Sequence, residues 1–489
     1  MNGAAQEVEL KFLCAPEDLG AILAAAPAGD EESRELISVY FDTADLKLQK
    51  AGVSLRVRES EGRRVQTLKR GYGLFREEHE APIEGLAPDP GLGPLPSFTR
   101  KGADLRPVFN VRVSRRQRTV RYQGAEIELA LDQGEVTGGE QKRPISEVEL
   151  ELKSGPPSAL FALARELSAA APLYLAFDSK AARGEALVAG EDQAARKSGK
   201  LELSDDATVA DAFQMVARDA LAQIAANAAS LRTEPSTEAV HQLRVGARRL
   251  RSALTTFQPV LEGEGLEAGG ADLKWLCLAC DTPRNLDVFA EETLRPAEVD
   301  EEQPPGLPAL REAIDAQRRR AWAEAAETVA SERFRALMID TCEWVETGAW
   351  RDGQAAKAPI ADFAGQALER HRKKFGKRRR AAESGDDVAR HHLRIEAKKL
   401  RYAIEALSGL YGRKRVARYL RSLKRLQEVL GRLNDLVTAK LLLAGLALPS
   451  EAAFAAGELV GRKAAAKPKL VARAAKAAEK LSEDEPFWA

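Results

Sequence analysis

Several things are scarce in this sequence, and each scarcity narrows the field. Net charge is absent: 74 basic and 74 acidic side chains give a formal charge of +0. No bulk field therefore drives the chain onto nucleic acid or membrane, and any anion site must come from local clustering. Cysteine is sparse: Cys14, Cys277, Cys280 and Cys342 are too few and too scattered for a disulfide framework, which points to a reducing compartment. Cys277 and Cys280 form a CxxC, yet no second pair or nearby histidine completes a zinc tetrad, and KWLCLAC reads as packed helix. No run approaches the ~20 apolar residues of a membrane helix. The N-terminus opens polar and acidic, without a basic flank and apolar stretch. The expectation is a cytoplasmic protein with no membrane partner.

What is present is a two-part pattern in a chain of 489 residues, long enough for two or three domains. Residues 7 to about 185 alternate polar and apolar in EVELKF, SLRVR, VQTLK, AEIELAL and SEVELELK, which reads as strands separated by turn-rich pieces such as GLAPDPGLGPLPS. From about Leu203 the apolar spacing changes to three and four residues in Ala-, Leu-, Arg- and Glu-rich segments, which reads as amphipathic helix. Polar GEDQAARKSGK suits a linker, and EVDEEQPPGLP (298–308) suits an exposed connection within the helical part.

Each strand carries one chemically uniform polar face. A period of two sends Glu7, Glu9 and Lys11 to one side and Val8, Leu10 and Phe12 to the other. Glu147, Glu149, Glu151 and Lys153 likewise oppose Val148, Leu150 and Leu152; Arg56 and Arg58 oppose Leu55 and Val57; Glu128 and Asp132 oppose Leu129 and Leu131. One such strand would suit any sheet with a wet side. Carboxylate-rich faces on some strands and cation-rich faces on others suit a closed barrel lined with charge. Clustered carboxylates match the hard-oxygen preference of Mg²⁺ or Mn²⁺. Arginines and lysines match phosphate, with arginine able to bind two oxygens in a fork.

Glu7-x-Glu9-x-Lys11 resembles the ExExK motif of CYTH domains, the triphosphate tunnel metalloenzymes. YFDTADLKLQKAGVSLRVRES, TLKR, REEHE, ALDQGEV, SEVELELKSG and SKAARG follow in the family's order over residues 7–185, and together they look like the bacterial inorganic triphosphatase branch. The resemblance implies an α+β fold whose N-terminal antiparallel β-barrel, or tunnel, has flanking helices. It implies a divalent cation, Mg²⁺ or Mn²⁺, held by Glu7, Glu9, Asp132, Glu147, Glu149 and Glu151, with Glu7, Glu9 and Lys11 catalytic. Lys11, Arg56, Arg58, Lys69, Arg76, Lys180 and Arg183 fall on positions that grip the phosphate chain. Arg115 joins them, with Arg118 as its alternative, because Arg112, Arg116 and Arg118 share one strand parity and Arg115 the other. The implied chemistry is in-line attack of water on a terminal phosphorus, a glutamate acting as base while metal and arginines stabilise the developing charge.

The helical part contains an internal repeat: HQLRVGARRLRSAL from His241 returns as HHLRIEAKKLRYAI from His391. His241, Arg244, Arg248 and Arg251 map onto His391, Arg394, Lys398 and Arg401. The apolar stripe Leu243, Ala247, Leu250 and Leu254 maps onto Leu393, Ala397, Leu400 and Ile404. Each helix thus carries a basic comb beside a packing stripe. RNLDVF (284–289) and RLNDLV (432–437) echo one another after the two copies. The repeat resembles the CHAD domain, an all-helical module of two related halves associated with polyphosphate. That resemblance implies polyphosphate binding by the eight comb residues, with Arg421 and Lys424 added from a later basic helix, because a row of spaced cations suits a long polyanion. HRKKFGKRRR (371–380) is a candidate extension of the same surface. No base-stacking or base-reading module is evident, which disfavours nucleic acid.

The expected organisation is a tunnel domain in 1–193, a linker in 194–204 and a helical domain in 205–489. The expected activity is hydrolysis of inorganic triphosphate to pyrophosphate and phosphate, in a cytoplasmic protein that associates with polyphosphate granules. The alternatives are a non-catalytic polyphosphate-binding scaffold, and an adenylate cyclase or organic triphosphatase on the same fold.

Overall fold

The alternating segments form strands that pair around a ring. The computed structural model describes residues 5–71, 74–99, 104–191, 194–199, 201, 203–204, 206–261, 264–383 and 385–488. Residues 192, 193, 200, 202 and 205, at the expected domain boundary and linker, lie outside the described residues. The strands are β1 (Ala5–Leu13), β2 (Glu31–Thr43), β3 (Val53–Ser60), β4 (Arg63–Arg70), β5 (Phe75–Pro82), β6 (Leu105–Tyr122), β7 (Ala125–Gly138), β8 (Gln141–Ser154) and β9 (Tyr174–Ala176). Their order is β5-β4-β3-β2-β6-β7-β8-β1-β9, and β1 also pairs with β5. Eight antiparallel strands therefore close into a barrel. The closure is made within β1, which lies on β5 over Ala5–Val8 and on β8 over Glu9–Leu13.

The barrel's polarity is inverted relative to an ordinary core: much of its charge lies inside. Leu10, Phe12, Val148 and Leu150, on the opposite parity, are buried on the outer face. Two helices, α1 (Leu19–Ala25) and α3 (Ser158–Ala170), pack together there, and α3 lies on β8. On the opposite wall, Val53, Leu55, Val57 and Leu68 pack with Leu95 and with Leu48 of the short α2 (Lys47–Lys50). A fourth helix, α4 (Lys180–Ala189), packs on β6, β7 and β8. Its Ala181 and Leu187 join Leu36, Tyr40, Phe109, Val111, Val113, Val136 and Ile145, which are inward-facing residues of four strands. This helix fills one sector of the barrel with apolar packing and leaves the rest to charge.

The chain divides into two compact units, residues 1–195 with 331–347, and residues 196–330 with 348–489. The helices after α4 are α5 (Val209–Thr233), α6 (Thr237–Phe257), α7 (Glu264–Ala279), α8 (Asp281–Phe289), α9 (Arg295–Glu298), α10 (Leu307–Ala330), α11 (Glu332–Thr347), α12 (Ile360–Glu383), α13 (Asp387–Leu407), α14 (Arg413–Ala444), α15 (Ser450–Ala464) and α16 (Lys467–Glu483). One π-helical turn, Ala290–Leu294, joins α8 to α9. Of these, α11 belongs to the first unit, where it packs on α3 and Arg165 donates to Asp340 at 2.7 Å.

The second unit is all helical, and the repeat is visible in how its helices begin and pack. Ser236 caps α6 and Asp386 caps α13, each accepting from the backbone three residues on. Their apolar stripes are buried: Leu243, Ala247 and Leu250 in one copy, Leu393, Ala397 and Leu400 in the other. Helix α5 packs on α6 as α12 packs on α13, and α6 meets α13. The expected linker is partly tethered, since Asp219 of α5 accepts from Ser198 and from the Gly199 amide, and Asn227 donates to the Arg196 carbonyl.

Candidate functional site

Inside the barrel lies a cavity of about 520 Å³. Three segments build most of its charge. The first is β1, which presents Glu7, Glu9 and Lys11, each less than a tenth exposed. The second is β3 with β4 and β5, which bring Arg56, Arg58, Lys69 and Arg76 to the same space. The third is the start of α4, where Ser179 caps the helix by accepting from the Ala182 amide, setting Lys180 at its first position. One turn on, Gly184 has no side chain because Phe109 lies there; a Cβ would stand 2.1 Å from the ring. SKAARG thus encodes a cap, two cations and the close approach that keeps the helix in the barrel.

Buried acids and bases form a connected lattice. Arg115 donates to both oxygens of Asp132, at 2.7 and 2.6 Å, and to Glu149 at 2.5 Å. Lys180 pairs with Asp132 at 2.6 Å and Glu149 at 2.9 Å, and also with Glu147, which in turn accepts from Arg183. Lys11 stands 2.8 Å from Glu149, and Lys69 stands 2.8 Å from Glu7 and 3.1 Å from Glu78. Burial opposes charge on Glu149, but Lys11, Lys180 and Arg115 overcome it and hold the carboxyl well below its ordinary range. The reverse holds at Lys180, where burial is outweighed by Glu147, Glu149 and Asp132 and the ammonium stays charged. Arg58 has less help: burial, Arg56 and Arg115 bring it down to about 10.

Glu9 differs from its neighbours. Burial first, then Glu149, pushes its carboxyl upward. Its ion-pair partners among the described residues, Lys11 and Arg76, stand no nearer than 3.8 Å. Burial also raises Glu151. Glu151 pairs with Lys153 at 2.7 Å, so of the two Glu9 is the carboxylate left under-compensated, which fits an oxygen-seeking divalent cation. Asp132, Glu147 and Glu149 have oxygens within 4.8 Å of one another, but all three are engaged by Arg115, Lys180 or Arg183. Glu7, Glu9, Glu149 and Glu151 line the cavity and Asp132 and Glu147 do not, so a cation in the cavity would meet the first four.

The other expected residues are placed as follows. Asp132 and Glu147 are fully buried and stand behind the cavity, bracing the cations that line it, and Arg183 stands with them. Arg115 faces in. Arg118 lies on the outer face of β6, where it donates to the carbonyl of Leu23 at 3.1 Å and to Glu31 at 2.8 Å. Sequence reasoning missed Arg34, Tyr40, Glu78, Glu80 and Glu185, which also line the cavity. Arg34 and Tyr40 share the inward parity of β2, so alternation alone would have found them. Glu185, raised to about 7 by burial and Asp42, lies one turn past Lys180 on α4 and needed the fold.

A second constellation lies in the helical unit. Lys398 is brought down to about 5 by burial and then by Arg248, Arg394, Arg244 and Arg401. Arg394 is brought to about 10 by burial, with Arg248 and Arg244 adding to the effect. His241 falls to about 4 through burial and Arg284. Such mutual depression requires that the combs of α6 and α13 converge, and Asp281, 2.5 Å from Arg244, is a carboxylate that pairs with them. Arg251, exposed at the comb's end, lies beside Cys277. The remaining expected residues stand apart. His391 is exposed and bonds Asn434 at 2.8 Å, and Arg421 and Lys424 are exposed on α14. His371 of HRKKFGKRRR is buried, 3.0 Å from the Thr256 hydroxyl. Arg284 and Tyr402 belong with the cluster and were not anticipated.

Fold and sites define a charge-lined β-barrel joined in one chain to a helical module with a converging cation cluster. Residues 5–184 match the CYTH domain family and residues 215–444 match the CHAD domain family. The chain belongs to both: it carries a CYTH domain followed by a CHAD domain. It is 33% identical over 198 residues to the inorganic triphosphatase of Haemophilus influenzae, a match covering 37% of this chain and 54% of that one. The chain thus spans about half the length of that curated relative. The crystal structure of the CHAD domain from the plant Ricinus communis is 30% identical with a TM-score of 0.53, covering 58% of this chain and 96% of that domain.

Proposed function

We propose that the barrel, residues 1–193, hydrolyses inorganic triphosphate to pyrophosphate and phosphate, and that the helical domain, residues 205–489 after a linker at 194–204, binds polyphosphate. The observation that carries the first part is charge balance. Among the described residues the cavity is lined by nine basic and eight acidic side chains, so it has little net positive charge with which to hold a polyanion. A passive anion trap gains nothing from those carboxylates, whereas a site that works with a divalent cation needs them.

Mg²⁺ or Mn²⁺, held by Glu7, Glu9, Glu149 and Glu151 with Asp132 and Glu147 bracing from behind, would neutralise phosphoryl oxygens and acidify water there. Lys11, Arg56, Arg58, Lys69, Arg76 and Lys180 grip the phosphate chain, and Arg115 and Arg183 fix the lattice that aims them. A glutamate of the β1 pair takes a proton from the attacking water as the new P–O bond forms. Pyrophosphate leaves as the old bond breaks, its charge met by the cations. Two aromatic residues line the cavity, Tyr40 and Phe177; inorganic triphosphate is favoured over nucleotide because Tyr40 is stacked on Phe109 at 4.5 Å and is not free to help sandwich a base.

The second part rests on six basic side chains, His241, Arg244, Arg248, Arg394, Lys398 and Arg401, gathered closely enough that His241, Arg248, Arg394 and Lys398 are all brought down by burial and by their neighbours. A polyphosphate chain supplies the counter-charge and would hold the enzyme at cytoplasmic polyphosphate granules. The test is phosphate release from inorganic triphosphate, ATP and thiamine triphosphate with Mg²⁺ or Mn²⁺, comparing wild type with Glu7→Gln plus Glu9→Gln. Metal-dependent release from triphosphate that the double variant loses is the expected result. Release of cyclic AMP from ATP would make the barrel a cyclase, and no turnover of any substrate would leave a polyphosphate-binding scaffold.

A further inference from the structure

The two mouths of the barrel are not alike, and Glu185 stands at one of them. Strand β2 ends at Thr43 and β3 begins at Val53; β4 ends at Arg70 and β5 begins at Phe75. Both connections, and α2 within the first, therefore lie at the same end. Strand β7 runs in the direction of β2, with β6 between them, and so also ends there. Helix α4 climbs toward this end: a Cβ on Gly138, the last residue of β7, would stand 2.7 Å from Val188 Cγ2. Lys180 opens the helix inside the acid and base lattice. Glu185 follows about 7.5 Å farther along the axis, at a rise of 1.5 Å per residue, and still lines the cavity.

The surroundings of Glu185 give it no counter-charge among the described residues. Gln49 shares a hydrogen bond with it, and Gln49, Gly52, Ser54 and Ala182, which line the cavity at this mouth, are uncharged. Asp42 lines a side pocket of about 150 Å³ together with Glu185. Its carboxylate is held by backbone rather than by a cation, accepting from the amides of Thr43 at 2.6 Å and of Leu48 and Gln49 at 2.9 Å. The cations nearest in the strands are already taken. Lys69, opposite Ser54 in register, pairs with Glu7 at 2.8 Å and Glu78 at 3.1 Å, and Arg56 bonds the Tyr40 hydroxyl. Burial first, then Asp42, brings Glu185 up to about 7, so it ionises across the neutral range.

We propose that Glu185 is a specificity residue that confines the barrel to triphosphate, because a fourth phosphoryl group would be pushed into this mouth and meet the Glu185 and Asp42 carboxylates. The inference rests on the triphosphatase activity proposed above and adds a length limit to it. Every phosphoryl unit beyond the third brings a further negative charge to a place that supplies acids and neutral groups, and like charges held together in a partly buried site repel strongly. Rejection is electrostatic, so it strengthens as Glu185 ionises. It follows that the polyphosphate assigned to the helical domain is a tether for the enzyme and not a substrate of its barrel.

The test is initial phosphate release from inorganic triphosphate and inorganic tetraphosphate by the full-length protein with Mg²⁺, read as the ratio of kcat/KM for the longer substrate to that for the shorter. The ratio does not depend on the fraction of protein that is folded. In the wild type it should fall about tenfold between pH 6 and pH 8, following the neutral fraction of Glu185. Glu185→Gln should raise the ratio about tenfold at pH 8 and flatten its pH dependence, which also controls for ionisation of the substrates, and Glu185→Asp should keep the fall. A ratio that Glu185→Gln leaves unmoved, in a wild type that turns over triphosphate, overturns the assignment of Glu185 alone and sends the extra phosphoryl group toward Arg34 and Lys153 at the other end. Absence of triphosphate turnover by the wild type overturns the triphosphatase reading and the length limit with it.

Discussion

Arg115 and Asp132 are joined in the barrel wall by two hydrogen bonds, Nε and Nη2 of the arginine standing 2.7 and 2.6 Å from the two carboxylate oxygens. The pair is buried, and it fixes the direction in which a cavity cation points. Asp132→Asn leaves Arg115 and Lys180 short of a counter-charge, and removing one partner of a buried pair costs about 3–5 kcal/mol. Urea unfolding should show that loss, and triphosphate turnover should fall with it. Arg115→Lys should not rescue, because a single ammonium cannot span both oxygens.

The same lattice sets the acid limit of stability. Asp132 and Glu149 are held below their ordinary values of 3.8 and 4.5 despite burial, chiefly by Lys180 and Lys11 respectively. Depressed acids contribute stability that is fully present above those ordinary values and is lost as pH falls through the folded ones. Melting temperature followed from pH 7 downward should therefore hold until about pH 5 and then drop, and the drop should be shallower in Asp132→Asn.

Glu9 gives a metal-dependent readout that needs no turnover. Its carboxylate is buried, faces Glu149 and lacks a close cation, so a divalent ion relieves it. Mn²⁺ at about a hundred times its dissociation constant should stabilise the wild type by about 2.7 kcal/mol. Glu9→Gln should lose most of that increment, and its triphosphatase rate should drop by roughly 10²–10⁴-fold.

At Gly184 the prediction is steric. A methyl group would meet three Phe109 ring atoms at 2.1–2.6 Å. Gly184→Ala should push α4 out of register at a cost of about 1–3 kcal/mol. Because Lys180 and Arg183 ride on the same helix, KM for triphosphate should rise in steady-state assays.

On the proposed function, Lys398 would link polyphosphate binding to proton uptake. With its value near 5 in the free protein it is largely neutral at pH 7, and an anion between the combs draws it back toward its ordinary 10.5. Binding should then take up close to one proton at pH 7, seen by calorimetry in buffers of differing ionisation heat, and affinity should weaken as pH rises from 7 to 9. Lys398→Met should abolish the uptake while keeping the salt dependence that the arginines confer.

Much of this was legible in the primary structure because period two and period 3.6 are printed in it. Alternation put Glu7, Glu9 and Lys11 on one face, and the His241 and His391 repeats predicted two matching basic helices. At β6 the parity of charge pointed away from the lumen, although Arg115 was the expected residue and does face in. Arg112, Arg116 and Arg118 share a face, yet the inward face is Val111, Val113 and Arg115, because α4 fills that sector and demands apolar neighbours. Charge marks the lumen only where nothing packs against it. Tertiary convergence was not legible either: neither the mutual depression of Lys398 and Arg394 nor the bracing of Lys180 by Asp132 has a local signature.

Helix α11 carries a consequence for biosynthesis. Residues 331–347 pack in the first unit with α3, although more than a hundred residues of the second unit precede them in the chain. A ribosome that has released the whole barrel has therefore not yet released everything the barrel's unit contains. Until Glu332–Thr347 emerges, the surface of α3 that carries Arg165 waits uncovered, and the first unit is completed only after synthesis of the second is well advanced.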